Sequence, residues 1–280
     1  MALQTEELIQ KWESLGIDND FIFGKVMQDE ELCTELLHRI LPGLDIDRVE
    51  LPEKQKTISE GVDFHGVRLD IFTREDLGKL FNMEMERRRR RYLVKRTRGY
   101  HIQIGMNAME KEHMTSYGDL PDTYVIFICV FDPFGQGRHI YSFSNRCEED
   151  PALELGDGTH TIFLNACGKM DDVSPKLKAF LDFVKGISSD DPFVKKLENK
   201  VREAKQNPNW RREFMTLSML MQDEREEGRE EGFAQGRAEG RVEGRAEGRA
   251  STLDAVAAFM RENGISTELV SKFEKSFSQA

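Results

Sequence analysis

Between Asp29 and Leu41 the segment DEELCTELLHRIL sets Leu32, Leu36, Leu37, Ile40 and Leu41 three and four residues apart, the apolar face of one helix. Pro42 and Gly43 stop it. Upstream, Phe21, Phe23, Val26 and Met27 form a short apolar segment for the same core, and residues 45–56 are a polar connector with an ill-defined strand. The period then changes. Val67, Leu69 and Ile71 alternate with Arg68, Asp70 and Phe72, which predicts a strand with Asp70 on the face opposite the leucine and isoleucine. Lys79 to Glu86, KLFNMEME, predicts a second strand with Met83 and Met85 on one side and Asn82, Glu84 and Glu86 on the other. The intervening REDLGK supplies turn residues including Gly78, so the two strands read as an antiparallel pair.

From Arg87 to Asn107 there is no proline and only Gly99 and Gly105 interrupt, which predicts a helix. Thr123 to Phe131, TYVIFICVF, is almost continuously apolar and reads as a strand at the centre of a sheet covered on both faces. His139 to Ser144 and His160 to Asn165 predict further strands. Lys176 to Val184, with Leu177, Phe180, Leu181 and Val184 at helical spacing, closes the core near Gly186. The organisation that follows is a variable segment over 1–17, a core domain over 18–188, a helical extension over 189–222 broken near Asn207 and Pro208, a charged glycine repeat over 223–250, and a small helical segment over 251–280.

In the repeat, Gly228, Gly232, Gly236, Gly240, Gly244 and Gly248 recur every four residues, beside a row of small apolar residues at Ala238, Val242, Ala246 and Ala250. Like charges at i,i+4 and about 1 kcal/mol per interior glycine disfavour a lone helix. The repeat therefore reads either as a flexible linker or as a helix supported through its small-residue rows by a second copy in a homo-oligomer.

Charged residues make up 32% and apolar residues 39%, a charge-rich chain with enough hydrophobe to fold. A net charge of -11 argues against a protein that coats nucleic acid with its whole surface, and leaves room for a local basic groove. The longest apolar run, Tyr124 to Phe131, is too short to cross a bilayer, and the first ten residues lack a leader pattern. No membrane association and a cytoplasmic location are expected. Cys33, Cys129, Cys147 and Cys167 are scattered without a CxxC pair, and the six histidines include no HExxH, which disfavours zinc.

Chemistry concentrates between residues 70 and 100. Carboxylates from two neighbouring strands can hold a magnesium ion without histidine or cysteine: Asp70 and Glu84 share one face, the backbone carbonyl of Met85 is within reach, and Glu86 points to the same region. Three carboxylates on a covered face repel one another unless a cation compensates, whereas on a solvated edge they need none. Arg87, Arg88, Arg89, Arg90, Arg91, Lys95, Arg96 and Arg98 then place eight basic residues in twelve positions, a field that suits a phosphate backbone or a solvated helix paired with acidic neighbours. Tyr100 lies one turn after Arg96, so the pair can brace the helix against the sheet, with Arg96 also able to meet phosphate.

DNDFIFGKV at 18–26, RLDIF at 68–72, NMEME at 82–86, KRTRGY at 95–100 and FDPFG at 131–135 together resemble the recombination-promoting nuclease and transposase family of Rpn type, within the PD-(D/E)xK nuclease superfamily. The resemblance covers roughly 18–186, and the charged glycine repeat resembles tails of that family. It implies an α/β fold: a restriction-endonuclease-like core with a central mixed sheet flanked by helices, plus a helical C-terminal extension. It implies a metal-dependent DNA endonuclease with Mg2+ or Mn2+ held by Asp70 and Glu84. The position of the motif lysine, often glutamine in this branch, is Glu86, which departs from the pattern. It becomes an added ligand, a group paired with a nearby arginine in place of lysine, or the mark of a weakened site. Arg96 and Tyr100 match the family's helix positions, and Arg87, Arg88, Arg91 and Lys95 are further candidates for DNA contact. Glu35 is the best match to an acidic residue on the first core helix. A non-catalytic DNA-binding or oligomeric protein that retains the fold is the competing reading.

Overall fold

The computed structural model describes residues 2–47, 49–50, 71–75, 78–111 and 116–278. They form two compact units, Met1–Phe214 and Met215–Ala280. In the first, three helices, α1 (Ala2–Ser14), α2 (Asp20–Val26) and α3 (Glu30–Ile40), precede β1 (Val49–Glu50), β2 (Ile71–Glu75) and β3 (Leu80–Glu86). After α4 (Leu93–Lys111) come β4 (Thr123–Cys129), β5 (Ile140–Phe143), β6 (Thr159–Asn165), α5 (Pro175–Val184) and α6 (Pro192–Gln206). The long α7 (Pro208–Glu262) begins in the first unit and runs on through the second, which α8 (Thr267–Ser278) completes.

The strands make one mixed sheet in the order β1-β2-β3-β4-β6-β5. β2 and β3 are antiparallel, as the REDLGK turn implies, while β3, β4 and β6 are parallel and β5 returns antiparallel along the edge. Parallel strands need cover on both faces, and β3 and β4 are buried along their whole length. Leu80, Val125, Phe127 and Phe163 pack with Leu93, Tyr100, Ile104 and Ala108 of α4 on one face. The alternate residues Phe81, Met83, Ile126, Ile162 and Leu164 are buried toward the layer built by α2, α3, α5 and α6. This is the expected α/β architecture, a mixed sheet between helices with a helical C-terminal extension.

Several boundaries differ from the sequence reading. β2 continues to Glu75, so Arg74 and Glu75 of the anticipated turn are strand, and the reversal falls at Gly78 with φ 89°. Val67, Leu69 and Asp70 lie outside the described residues. The helix predicted from Arg87 starts only at Leu93, and it runs on to Lys111. Arg87 to Tyr92 are all exposed, and five like charges at the positive end of a helix would repel one another and the dipole. Helix begins where burial begins, at Leu93.

α1, α6 and the first residues of α7 belong to the first unit. Phe193, Val194 and Leu197 are buried, and Trp12 of α1 packs edge-on to Phe21 and against Phe214, its indole N–H donating to the Lys205 carbonyl at 3.1 Å. Arg39 is the polar tie among α3, α5 and α6. Its side chain is 5% exposed and bonds Glu35 at 2.8 Å, the Lys176 carbonyl at 2.7 Å and Asp191, the N-cap of α6, at 3.0 Å. The guanidinium also lies over the Phe193 ring.

In the second unit the glycine repeat is continuous helix, and every residue from Met221 to Ala250 is exposed. Gly264, at φ 76°, ends α7 with the Ile265 N–H donating back to the Met260 carbonyl, a glycine helix stop. α8 then folds back so that Val270 and Ala257 are buried and Arg261 pairs with Glu274 at 2.7 Å.

Replacing Arg39 with alanine removes the buried guanidinium that ties Glu35, Asp191 and the Lys176 carbonyl together. The variant is expected to lose about 3–5 kcal/mol of stability in urea unfolding; a loss under about 1 kcal/mol would show that hydrophobic packing alone holds α6.

Candidate functional site

β3 carries Asn82, Glu84 and Glu86 on the face covered by α4, and all three are buried at 4% exposure or less. Two carboxylates cannot be buried side by side without compensation. It comes from α4. Arg96 bonds Glu86 through Nη1 and approaches Glu84 at 3.4 Å through Nη2, which also lies 2.5 Å from the Tyr100 hydroxyl. That hydroxyl donates to Glu84 at 3.0 Å, and the Asn82 amide donates to the other Glu84 oxygen at 3.1 Å. Arg90 adds a second, exposed cation 3.4 Å from Glu86.

The protonation states follow from this packing. Burial opposes the charge on Arg96, yet the Tyr100 hydroxyl and the Glu86 carboxylate outweigh it, so the guanidinium holds its proton more firmly than a free arginine. The Tyr100 hydroxyl is pushed above its usual range, first by burial and then by Glu84, against the pull of Arg96. It therefore acts as a donor rather than a phenolate. Cys129, the neighbour of Glu86 across the β3 and β4 pair, is pushed up to about 12 by burial and by the Glu86 charge, which makes its thiol inert.

Asp70 lies outside the described residues. It directly precedes Ile71, whose partner across the antiparallel pair is Met83, the neighbour of Glu84. Glu35 is engaged elsewhere, in the ion pair with Arg39. Among the described residues no three His, Cys, Asp or Glu side chains gather in a metal-binding group; Glu84 and Glu86 supply two carboxylates. Their donor chemistry fits a hard divalent ion, since the cluster offers carboxylate oxygens and no sulfur or imidazole. The buried Asn82 Oδ1, without a hydrogen-bond partner among the described residues, is a further oxygen of the same kind.

The basic run is divided. Arg87 pairs with Asp18 at 2.9 Å, and Arg89 donates to the Asp132 and Pro133 carbonyls, so the first half of the connector is fastened at two points. Asp132 is held in turn by N–H groups of Phe134, Gly135 and Gly137 and by the Tyr141 hydroxyl. Burial works to raise its pKa, but these four donors together keep it below the ordinary carboxylate range. Arg88, Arg91, Lys95 and Arg98 are exposed and form no ion pair among the described residues. Arg91 lies over the ring of exposed Tyr92.

Sequence reasoning did not single out Asn82, Asp18 or Asp132. Asn82 was detectable from the NMEME alternation that placed it beside Glu84, and Asp18 and Asp132 sit inside the quoted DNDFIFGKV and FDPFG segments. The partnerships across the fold had no local signal.

The family model for PD-(D/E)XK nuclease family transposases matches residues 18–232, which takes in the sheet, α4 and the start of the glycine repeat. The chain belongs to this family. No curated protein and no solved structure matches it. The matched span contains Glu84, Glu86, Arg96 and Tyr100, so the buried cluster lies within the residues that the family model covers.

α4 is pinned over the site by His101, whose two ring nitrogens lie 2.8 Å from the Thr123 hydroxyl and 3.0 Å from that of Thr161. Burial lowers its pKa to about 4, with Asp157 opposing and His160 reinforcing. Below about pH 6.5 the unfolded chain takes up a proton at this histidine that the folded chain refuses, so folding loses stability as pH falls toward about 4. His101→Gln keeps hydrogen-bonding groups and removes the titration. The variant is expected to flatten the fall of the urea midpoint between about pH 6.5 and 4; an unchanged slope would exclude His101 as its source.

Proposed function

We propose that this PD-(D/E)XK family member is a metal-dependent DNA endonuclease acting in recombination, transposition or defence against mobile DNA. The observation that carries the reading is the buried pair Glu84 and Glu86 under Arg96, with exposed cations beside it. Asp70 and Glu84 would hold Mg2+ or Mn2+, with the Met85 carbonyl as a further oxygen. When bound, the ion supplies Lewis-acid polarisation of the phosphate and a lowered pKa for water.

The protein's own residues have distinct tasks. Tyr100 and Asn82 fix the Glu84 carboxylate by one hydrogen bond to each oxygen, so its orientation is set before substrate arrives. Arg96 reaches both Glu84 and Glu86 with one guanidinium and so offsets the repulsion between them. Glu86 stands where the superfamily motif has lysine, and the guanidinium bonded to it restores positive charge at that place. Arg88, Arg91, Lys95 and Arg98 meet the phosphate backbone, which positions DNA without reading its sequence. Hydrolysis forms a bond from a water oxygen to phosphorus, breaks one ester P–O bond, and leaves a phosphate monoester and a hydroxyl. No helix among the described residues is long and apolar enough to cross a membrane.

The second reading, a DNA-binding protein that has lost catalysis, draws on the same Glu86. Supercoiled plasmid with magnesium or manganese separates the two. The wild type is expected to nick it, and Asp70→Ala and Glu84→Ala to lose roughly a hundredfold or more, since each removes a ligand for charge stabilisation of several kcal/mol. Retained DNA binding without any nicking would favour the second reading. Equal nicking by all three proteins would place the chemistry elsewhere.

A further inference from the structure

On the sheet face away from α4, and at the opposite end of the parallel strands from Glu86, aromatic rings run in a row from strand to strand. Phe81 of β3 stacks on Tyr124 of β4 at 5.0 Å, and Tyr124 stacks on His160 of β6 at 4.5 Å with planes 14° apart. The row follows the register, which pairs Phe81 with Tyr124 and Tyr124 with His160. The next strand over is β5, where Phe143 pairs with Thr161, and Ser144 follows its end. No fourth ring stacks on His160 among the described residues. In its place is an open cavity of about 520 Å³, lined among others by Tyr124, His160, Ser142, Ser144, Arg146 and Glu154.

We propose that this cavity binds a planar, hydrogen-bonding heterocycle of the nucleobase class, stacked on His160 as the next ring of the row. Its volume falls in the range of about 300–1,000 Å³ usual for small-molecule sites. The stack provides a π-face that accepts any flat ring. The edge groups decide the ligand's polarity. Arg146 bonds Glu154 and the Pro151 carbonyl, an exposed ion pair that brings no net charge to the rim but offers donors on one side and acceptors on the other. The Ser142 and Ser144 hydroxyls can both donate and accept. A rim of this kind suits an uncharged ring bearing amide and amine edges better than a free anion or an aliphatic chain. The ring can come from a free nucleoside or from an unpaired base of a polynucleotide. The inference is independent of the nuclease reading, because Tyr124 and His160 lie on the other sheet face and at the other end of the strands from Glu86.

Equilibrium dialysis of the full chain with guanosine, with adenosine and with a short single-stranded oligodeoxynucleotide, all in EDTA, tests it. Ser144→Trp fills the cavity with the protein's own fourth ring, and His160→Ala removes the platform; circular dichroism checks that both fold. Wild-type binding of a nucleoside, weakened by roughly tenfold or more in both variants as loss of base stacking requires, supports the free-nucleoside source. Binding of the oligonucleotide alone, with the same loss in both variants, supports the unpaired-base source. No binding of any probe at millimolar concentration, or binding that both folded variants retain, overturns the proposal.

Discussion

The structure around the candidate site depends on one arginine. Glu84 and Glu86 project from the same strand into the same covered face, where two carboxylates would each face several kcal/mol of desolvation and mutual repulsion. Arg96 reaches both, and the Tyr100 hydroxyl completes the contact with Glu84. Because Arg96 and Tyr100 are one helical turn apart, their spacing fixes the rotation of α4 about its axis, and with it the apolar residues Leu93, Ile104 and Ala108 that seal the sheet. The polar cluster and the core packing of this face are therefore one arrangement.

The same constraint explains the division of the basic run. Cations that serve the carboxylates sit within reach of them: Arg96 from the helix and Arg90 from the connector. Arg87 and Arg89 anchor the connector to Asp18 and to the loop after β4. The cations left over face outward, so a chain that carries a net charge of -11 still presents positive charge beside its buried acids. A polyanion approaching that face meets the local field rather than the total.

Much of the fold could be read from periodicity, because alternation and helical spacing record which face of each element is buried. The antiparallel pair, the central apolar strand and the α3 and α5 helices were legible this way, and so was the placing of Asn82, Glu84 and Glu86 on one face. The start of α4 was not. The run from Arg87 has no helix breaker, and only burial at Leu93 together with charge repulsion before it shows where helix becomes favourable. The glycine repeat was ambiguous for the opposite reason: its local chemistry disfavours helix, yet α7 runs through it without a break. Nor could the sequence distinguish which of eight basic residues would neutralise Glu86, since that pairing spans ten residues and a change of element.

The central claim is that Arg96 and Glu86 form a coupled, partly buried pair on which the site rests, and a double-mutant cycle measures this directly. Unfolding free energies of Arg96→Met, Glu86→Gln and the double variant, compared with wild type, isolate the interaction from the loss of either side chain alone. A coupling of about 2 kcal/mol or more is expected, with the double variant more stable than Arg96→Met. A coupling under about 0.5 kcal/mol, the value of an exposed ion pair, would contradict it.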